Sequence, residues 1–392
     1  MAKHLKLETL MINSLETDFT SDKAEEFQAR YFLAKSKLKA EIWDWIRSNE
    51  PDLSDHSTEH IVNVLDNAYK LLESGLRDNK GKNFKVSEYS GLEIYLLCMT
   101  ILFHDVGNFF QRKYHNQTIQ TILNDCFKEF FFGAFKREKQ LIIKAGRAHT
   151  GKSDDGASDT LKDISNIEHC GGEKVRLQDI ASIVRLADEL AEGQQRTSSY
   201  MLKKNKFSLG SVLFHRYAEC THIMIDALNR RINIAYEIDL KLKDDEGISG
   251  VSRDNLEELL KLIHHRVYKL DQERKYCGYY CSLLTPINET QISFNFENHG
   301  LPLEYKIDPL TLNDLTVPGD DTKAITTGRD DLAIAVIIDN LTEVLTAQKS
   351  EPNTITVQKS EPNTMESKKE DKNDETKKTK FVGYIKSLLG RA

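Results

Sequence analysis

The sequence has no basic excess: its 61 acidic residues outnumber its 54 lysines and arginines, for a formal net charge of −7. That balance argues against a general nucleic-acid binder, whose surface carries clustered positive charge. It leaves room for a local basic pocket around one phosphate group. No apolar run approaches the roughly 20 residues of a membrane-spanning helix. The opening stretch, "MAKHLKLETLMINSLETDFTSD", lacks the apolar centre of a signal peptide and carries acids early, so a cytoplasmic protein is expected. Cysteine is sparse and scattered, at Cys98, Cys126, Cys170, Cys220, Cys277 and Cys281. Only "CGYYC" is closely spaced, and no second pair completes a zinc site. All six are expected to be reduced thiols, most of them in the core. A convincing Ser–His–Asp or Cys–His arrangement is also missing. So is a P-loop, because "GKSDDGAS" has neither the upstream glycine nor the preceding strand.

What is present, in 392 residues of which 39% are apolar and 29% charged, suffices for two ordinary domains or one large core with appendages. The first two-thirds reads as helices. "DKAEEFQARYFLAKSKLKAEIWDWIRSNE" places Phe27, Tyr31, Leu38 and Ile42 near one face. A helix follows from about Ser57–Thr58, and "SEYSGLEIYLLCMTILFHD" reads as a buried one on length and apolarity. "NQTIQTILNDCFKEFF", "KREKQLIIKAGRAH" and "RLQDIASIVRLADELAEG" each repeat apolar residues at i, i+3 and i+4, and no strand pattern is visible before about residue 205. Beyond it, "RRINIAYEIDLKLK" and "ETQISFNFENH" alternate as strands do, with an amphipathic helix between them and another over 329–345. The expected fold class is mainly α. An all-helical domain spans residues 22–204, and a smaller α+β domain with a short antiparallel sheet spans 205–346. Residues 347–380 carry "QKSEPNT" twice and are too polar to order themselves, so they read as a disordered linker. Residues 381–392 form a short amphipathic segment, which reads either as a frayed terminus or as an element that docks on a partner or a membrane surface.

The chemistry sits where charge interrupts apolar helices. "TILFHDVGNFF" runs an apolar segment straight into His104 and Asp105, and Asp188 lies within the apolar face of "IVRLADELAE". Burying an ionised carboxylate costs several kcal/mol unless something compensates. Pairing with Arg185 offers Asp188 one compensation; a bound cation serves both aspartates. His56, His60, His115 and His149 are further candidates, each of which taken alone reads as a core histidine with satisfied nitrogens. A mixed imidazole and carboxylate set suits Mn, Fe, Co, Ni or Zn rather than Mg or Ca.

The ordered set His60, His104–Asp105 and Asp188 resembles the H…HD…D signature of the HD superfamily of metal-dependent phosphohydrolases. "HSTEHIVNVL", "LLCMTILFHDVG" and "IASIVRLADELAE" are similar to its successive ligand helices, and the resemblance covers roughly residues 25–200. It implies that residues 22–204 are an HD-type domain in which His60, His104, Asp105 and Asp188 hold a first metal. "YHNQTIQTIL" and "AHTG" resemble the segments that supply further histidines in two-metal members, so His115 and His149 join the set, with Asp105 bridging and one or two divalent ions per chain. Asn108 stands where "HDIGK" proteins carry lysine, and the GYP and "HDxGHxPFxH" runs of other subfamilies are missing.

The expected function is hydrolysis of a phosphate ester or anhydride by a metal-activated water, in the phosphoric ester hydrolase class. Its partner is a phosphate-bearing small molecule, a nucleotide above all. His104 and Asp105 are the central catalytic pair, and Arg112, Lys113, Arg147 and Lys152 are the candidates for the substrate phosphate. The competing expectation is an HD-fold nucleotide sensor or signalling adaptor without turnover. The apolar helix over 329–345 offers a surface for self-association.

Overall fold

The computed structural model describes residues 4–49, 57–73, 89–150, 158–226, 228–242, 248, 251–282, 284, 286–314 and 328–350. His56, Lys152, the terminal amphipathic stretch and, beyond residue 350, the repeated "QKSEPNT" segment therefore lie outside the described residues. Residues Met1–Gln348 form one compact unit.

The chain begins with α1 (Lys6–Asp18) and α2 (Ser21–Leu38), which passes through a π-helical turn at Lys39–Trp43 into α3 (Asp44–Asn49). Phe27, Tyr31, Leu38 and Ile42 are all buried, as their helical spacing requires. α4 (Thr58–Glu73) and α5 (Gly91–Phe103) follow. α5 is buried along its whole length and packs against α1, α2 and α4. A helix apolar on every side has nowhere else to go. By length and composition Gly91–Phe109 comes closer to a membrane span than the sequence reading allowed, but 94% of that stretch is buried inside the protein. Its start is fixed by a capping box: Ser90 Oγ accepts from Glu93 N (3.2 Å), and Ser90 N donates to the Glu93 carboxylate (2.9 Å). Glu93 in turn takes two bonds from the Arg176 guanidinium, at 2.8 and 2.6 Å.

α6 (His115–Asp125) and α7 (Lys136–Arg147) complete the ligand-bearing region together with α8 (Leu177–Glu189). Between α7 and α8 lies an antiparallel hairpin, β1 (Glu168–Cys170) and β2 (Glu173–Val175), which corrects the expectation of no strand before residue 205. Three-residue strands are too short to display alternation, and the turn is made by Gly171 and Gly172, both at positive φ.

After α9 (Ser199–Lys203) and α10 (Val212–Cys220), the strands β3 (Thr221–Asp226) and β4 (Arg231–Asp239) lead into the 30-residue α11 (Val251–Tyr280). β5 (Glu289–Asn298), β6 (Leu301–Pro302), β7 (Leu310–Asn313) and α12 (Ile334–Ser350) end the described chain. The mainly α class stands. The second sheet is mixed rather than antiparallel: β4 and β5 pair in parallel, from Arg231–Glu289 to Asp239–Glu297, while the other pairings are antiparallel. The helix between them explains this, because α11 carries the chain back to the end from which β4 started. All six cysteines are free thiols, five of them buried.

Candidate metal centre

Helix ends build the site. His60 lies in the first turn of α4, and His104 and Asp105 follow the last residue of α5. His115 opens α6, His149 lies two residues past α7, and Asp188 sits one residue before the end of α8. Asp105 has φ −109° and ψ 3°, the sparsely populated bridge region. Tyr114, directly before His115, is left-handed at φ 68°. Gly107 makes the approach of α6 possible, since a Cβ there would stand 1.8 Å from His115 O and 2.3 Å from Thr118 Oγ1.

Two sets of ligand atoms result, and Asp105 belongs to both. His60, His104, Asp105 and Asp188 offer atoms all within 4.8 Å of one another, and so do Asp105, His115 and His149. Asp105 Oδ2 faces His60 Nε2 and His104 Nε2, each at 3.4 Å, while Oδ1 faces His115 Nε2 at 3.2 Å and His149 Nε2 at 3.4 Å. Asp188 Oδ1 lies 3.2 Å from His60 Nε2 and 3.6 Å from His104 Nε2. The alternative pairing of Asp188 with Arg185 does not form: Arg185 turns to Glu273 instead. Among the histidine–carboxylate contacts, His104 and His60 are fully buried, whereas the His115 and Asp188 side chains keep 18% and 22% of their exposure. The cluster therefore opens to solvent on that side.

The histidines are oriented from behind. His104 Nδ1 meets Ile101 O at 2.8 Å, His115 Nδ1 meets Arg112 O at 2.9 Å, and His149 Nδ1 meets Gly146 O at 2.5 Å, always the carbonyl three residues earlier. A carbonyl can only accept, so each Nδ1 carries the hydrogen and each neutral ring turns a lone pair on Nε2 inward. His104 Nε2 is a buried atom without a hydrogen-bond partner. His115 Nε2 and His149 Nε2 are 3.0 Å apart. Converging lone pairs beside two carboxylates fit a divalent cation, and the donor set suits such an ion chemically.

Electrostatics agree with the geometry. Burial opposes protonation of His104, yet Asp105 and Asp188 outweigh it and hold its pKa well above the ordinary imidazole value. Burial is likewise overcome at His115, which Asp105 pushes up, but it prevails at His149, whose pKa falls. For Asp188 the cost of burial is exceeded by the attraction of the His104 and His60 rings, so its carboxyl lies well below the usual range. Metal-free, the cluster thus retains protons that a cation would displace.

Of the phosphate candidates, Arg112 adjoins the cluster. Its side chain keeps contact with solvent, yet the surrounding protein and then the like charge of Arg196 draw its pKa down, against the opposing pull of Asp105 and Asp188. Lys113 is exposed, with Nζ 4.9 Å from the centre of the Tyr114 ring. Arg147 turns away toward α6, with Nη2 3.2 Å from Gln120 Oε1, in a cleft of about 670 Å³ that it lines with Asn116, Lys144 and Thr160. Sequence reasoning missed Arg196 and Arg266. Arg196 lies in a 3-10 turn at Gln194–Arg196, and Arg266 bonds Glu189 (3.0 Å) and Glu192 from α11. Neither carries a local pattern, and the link of each to the site is its like charge facing Arg112.

A helical scaffold that gathers His, His–Asp and Asp from successive helices into one buried group, suited to a divalent metal, is an HD-type domain. The family model described as HD-CE matches residues 50–267, more than half of the chain. The chain belongs to the HD-CE family. No curated protein and no solved structure matches it.

Proposed function

We propose that this protein is a metal-dependent phosphohydrolase that cleaves a phosphate ester or anhydride of a nucleotide. His60, His104, Asp105 and Asp188 would hold one ion, and Asp105, His115 and His149 a second. The observation that carries the proposal is the position of Asp105, whose two oxygens face two separate pairs of imidazole nitrogens at 3.2 to 3.4 Å. A structural carboxylate needs only one such set of partners. When bound, divalent ions supply Lewis acidity, letting water ionise near neutral pH and balancing phosphate charge.

The chain's own groups do the rest. Backbone carbonyls fix the three rings, so each Nε2 is aimed inward before any ligand arrives, and a cation has only to displace the proton held there. Asp188 stays ionised across the neutral range. Arg112 adds positive charge beside Asp105 and Asp188, on the solvent-facing side where His115 and Asp188 are partly exposed. A phosphate can approach there. No side-chain nucleophile is required, in keeping with the lack of a Ser–His–Asp or Cys–His arrangement in the sequence.

The test is hydrolysis of a nucleotide and phosphodiester panel by protein loaded with Mn or Co. His104→Ala and Asp105→Ala should each abolish both metal binding and turnover while the circular dichroism spectrum is kept. Tight nucleotide binding without turnover under every metal would instead favour the sensor.

A further inference from the structure

His149 poses a mechanical problem. It lies two residues beyond the end of α7, and its main-chain N–H reaches Gly146 O at a long 3.4 Å. The helix alone does not hold it in place. Its ring is bonded to Gly146 O, and the backbone on either side of it is held by a buried polar chain from α8 and α11.

We propose that Arg185 is a positioning residue, which fixes His149 by satisfying the carbonyls of Ala148 and Thr150, the residues on either side of it, and is itself held by Glu273 of α11. The proposal rests on the two-ion reading above. Arg185 Nη1 donates to Thr150 O at 2.9 Å and to Thr160 Oγ1 at 2.7 Å. The Thr160 hydroxyl has one hydrogen to give, and the nearer of its two carbonyls is Ala148 O at 2.9 Å. The carbonyls before and after His149 are thus both tied to one guanidinium, the first through Thr160. The other edge of that guanidinium is taken by Glu273, with Nε to Oε2 at 2.6 Å and Nη2 to Oε1 at 2.7 Å. This two-point geometry fixes the plane of the fork as well as its position. Arg185, Thr160 and Glu273 are all buried, so water does not compete.

A second strut runs parallel to it. Arg185 lies over the Tyr276 ring, 4.6 Å from its centre, and the Tyr276 hydroxyl donates to Asp159 (2.8 Å) while accepting from Leu161 N (2.9 Å). Glu273 and Tyr276, one turn apart on α11, therefore grip both Arg185 and the 159–161 segment. An ion pair serving only to join α8 to α11 would need the Glu273 contacts and nothing more. The remaining arm goes instead to the peptide units around one ligand of the second group. Glu273 lies beyond the residues matched by the HD-CE model, so the C-terminal half of this chain sets the geometry of its own second ligand group.

Outer contacts that orient a ligand are worth about 10- to 100-fold in metal affinity. The experiment is Mn titration of the full-length chain, read by isothermal calorimetry and EPR, with circular dichroism to confirm folding. Thr160→Val keeps the side-chain shape and removes the hydroxyl; Thr160→Ser restores it; Arg185→Lys removes the fork. In Thr160→Val and Arg185→Lys we expect one of two ions to weaken by about 10- to 100-fold, the other to stay within about twofold, and Thr160→Ser to bind both normally. If Arg185→Lys does not fold, Thr160→Val carries the test alone. Two ions bound by Thr160→Val as tightly as by the wild type would overturn the proposal. A wild-type chain that takes fewer than two ions would defeat the two-ion reading, and this inference with it.

Discussion

His115 and His149 bring their Nε2 atoms to 3.0 Å of each other, while each ring commits Nδ1 to a main-chain carbonyl. Two neutral rings held this way would face each other lone pair to lone pair. A proton relieves that opposition in the free protein, consistent with a raised pKa at His115 and a lowered one at His149. A cation relieves it better, because Asp105 Oδ1 adds negative charge at 3.2 and 3.4 Å. His115→Ala should therefore release one ion and keep the other, and hydrolysis should fall at least about 100-fold, as when a preorganised charge-stabilising group is removed. Metal content and turnover unchanged in that variant would exclude a second ion.

Gly107 joins the HD turn to α6. A Cβ at this position would overlap the main chain at His115, so backbone must move. Gly107→Ala should cost about 1–3 kcal/mol or more, the range for overpacking, and should displace His115 from Asp105. Thermal unfolding reads the first effect and metal content the second. The variant should lose the ion that His115 holds before it loses the other.

The site was legible in the sequence wherever charge broke an apolar pattern. Asp105 ends a wholly buried helix, and Asp188 interrupts the apolar face of α8; both stand in the cluster. α1 offered a comparable signal, since Leu7, Met11 and Leu15 repeat every four residues and are buried, and α1 packs on α5. A boundary at residue 22 leaves it out. Arg147 shows where linear proximity misleads. It lies two residues from His149, but two helical residues turn a side chain through roughly 200°, onto another face, and Arg147 meets Gln120 instead. The parallel pairing of β4 with β5 depends on where α11 returns the chain, and Arg196 and Arg266 come to bear on Arg112 through tertiary packing. None of these leaves a local trace.

Two arginines that lie near the cluster in sequence, Arg112 and Arg147, should separate kinetically. Arg112 lies within the field of Asp105 and Asp188, whereas Arg147 bonds α6. Arg112→Gln should raise KM for a nucleotide by about 10-fold, equivalent to about 1.4 kcal/mol. Arg147→Gln should leave it nearly unchanged. Equal effects from both variants would remove Arg112 from the substrate side of the site.

Acid stability should report the Glu93–Arg176 pair. Burial raises the Glu93 pKa, but the hydrogen bonds from Arg176 outweigh burial and leave it lowered. A carboxyl depressed in the folded state stabilises the protein above its unfolded pKa, and that contribution disappears as pH falls through the folded value. The loss should fall below about pH 4.3, the ordinary glutamate value. Glu93→Gln should cost about 2 kcal/mol at neutral pH, the scale of a hydrogen bond to a charged group, and should flatten the acid limb. Denaturant midpoints measured from pH 3 to pH 7 would show a parallel acid limb in both proteins if the pair contributes nothing.

Elemental analysis of the purified chain, before and after incubation with Mn or Co, bears most directly on the whole scheme. We expect two transition-metal ions per chain at saturation, and a chain with Asp105 replaced by alanine that retains neither firmly. A folded wild-type protein that carries no transition metal and takes up none on loading would contradict it.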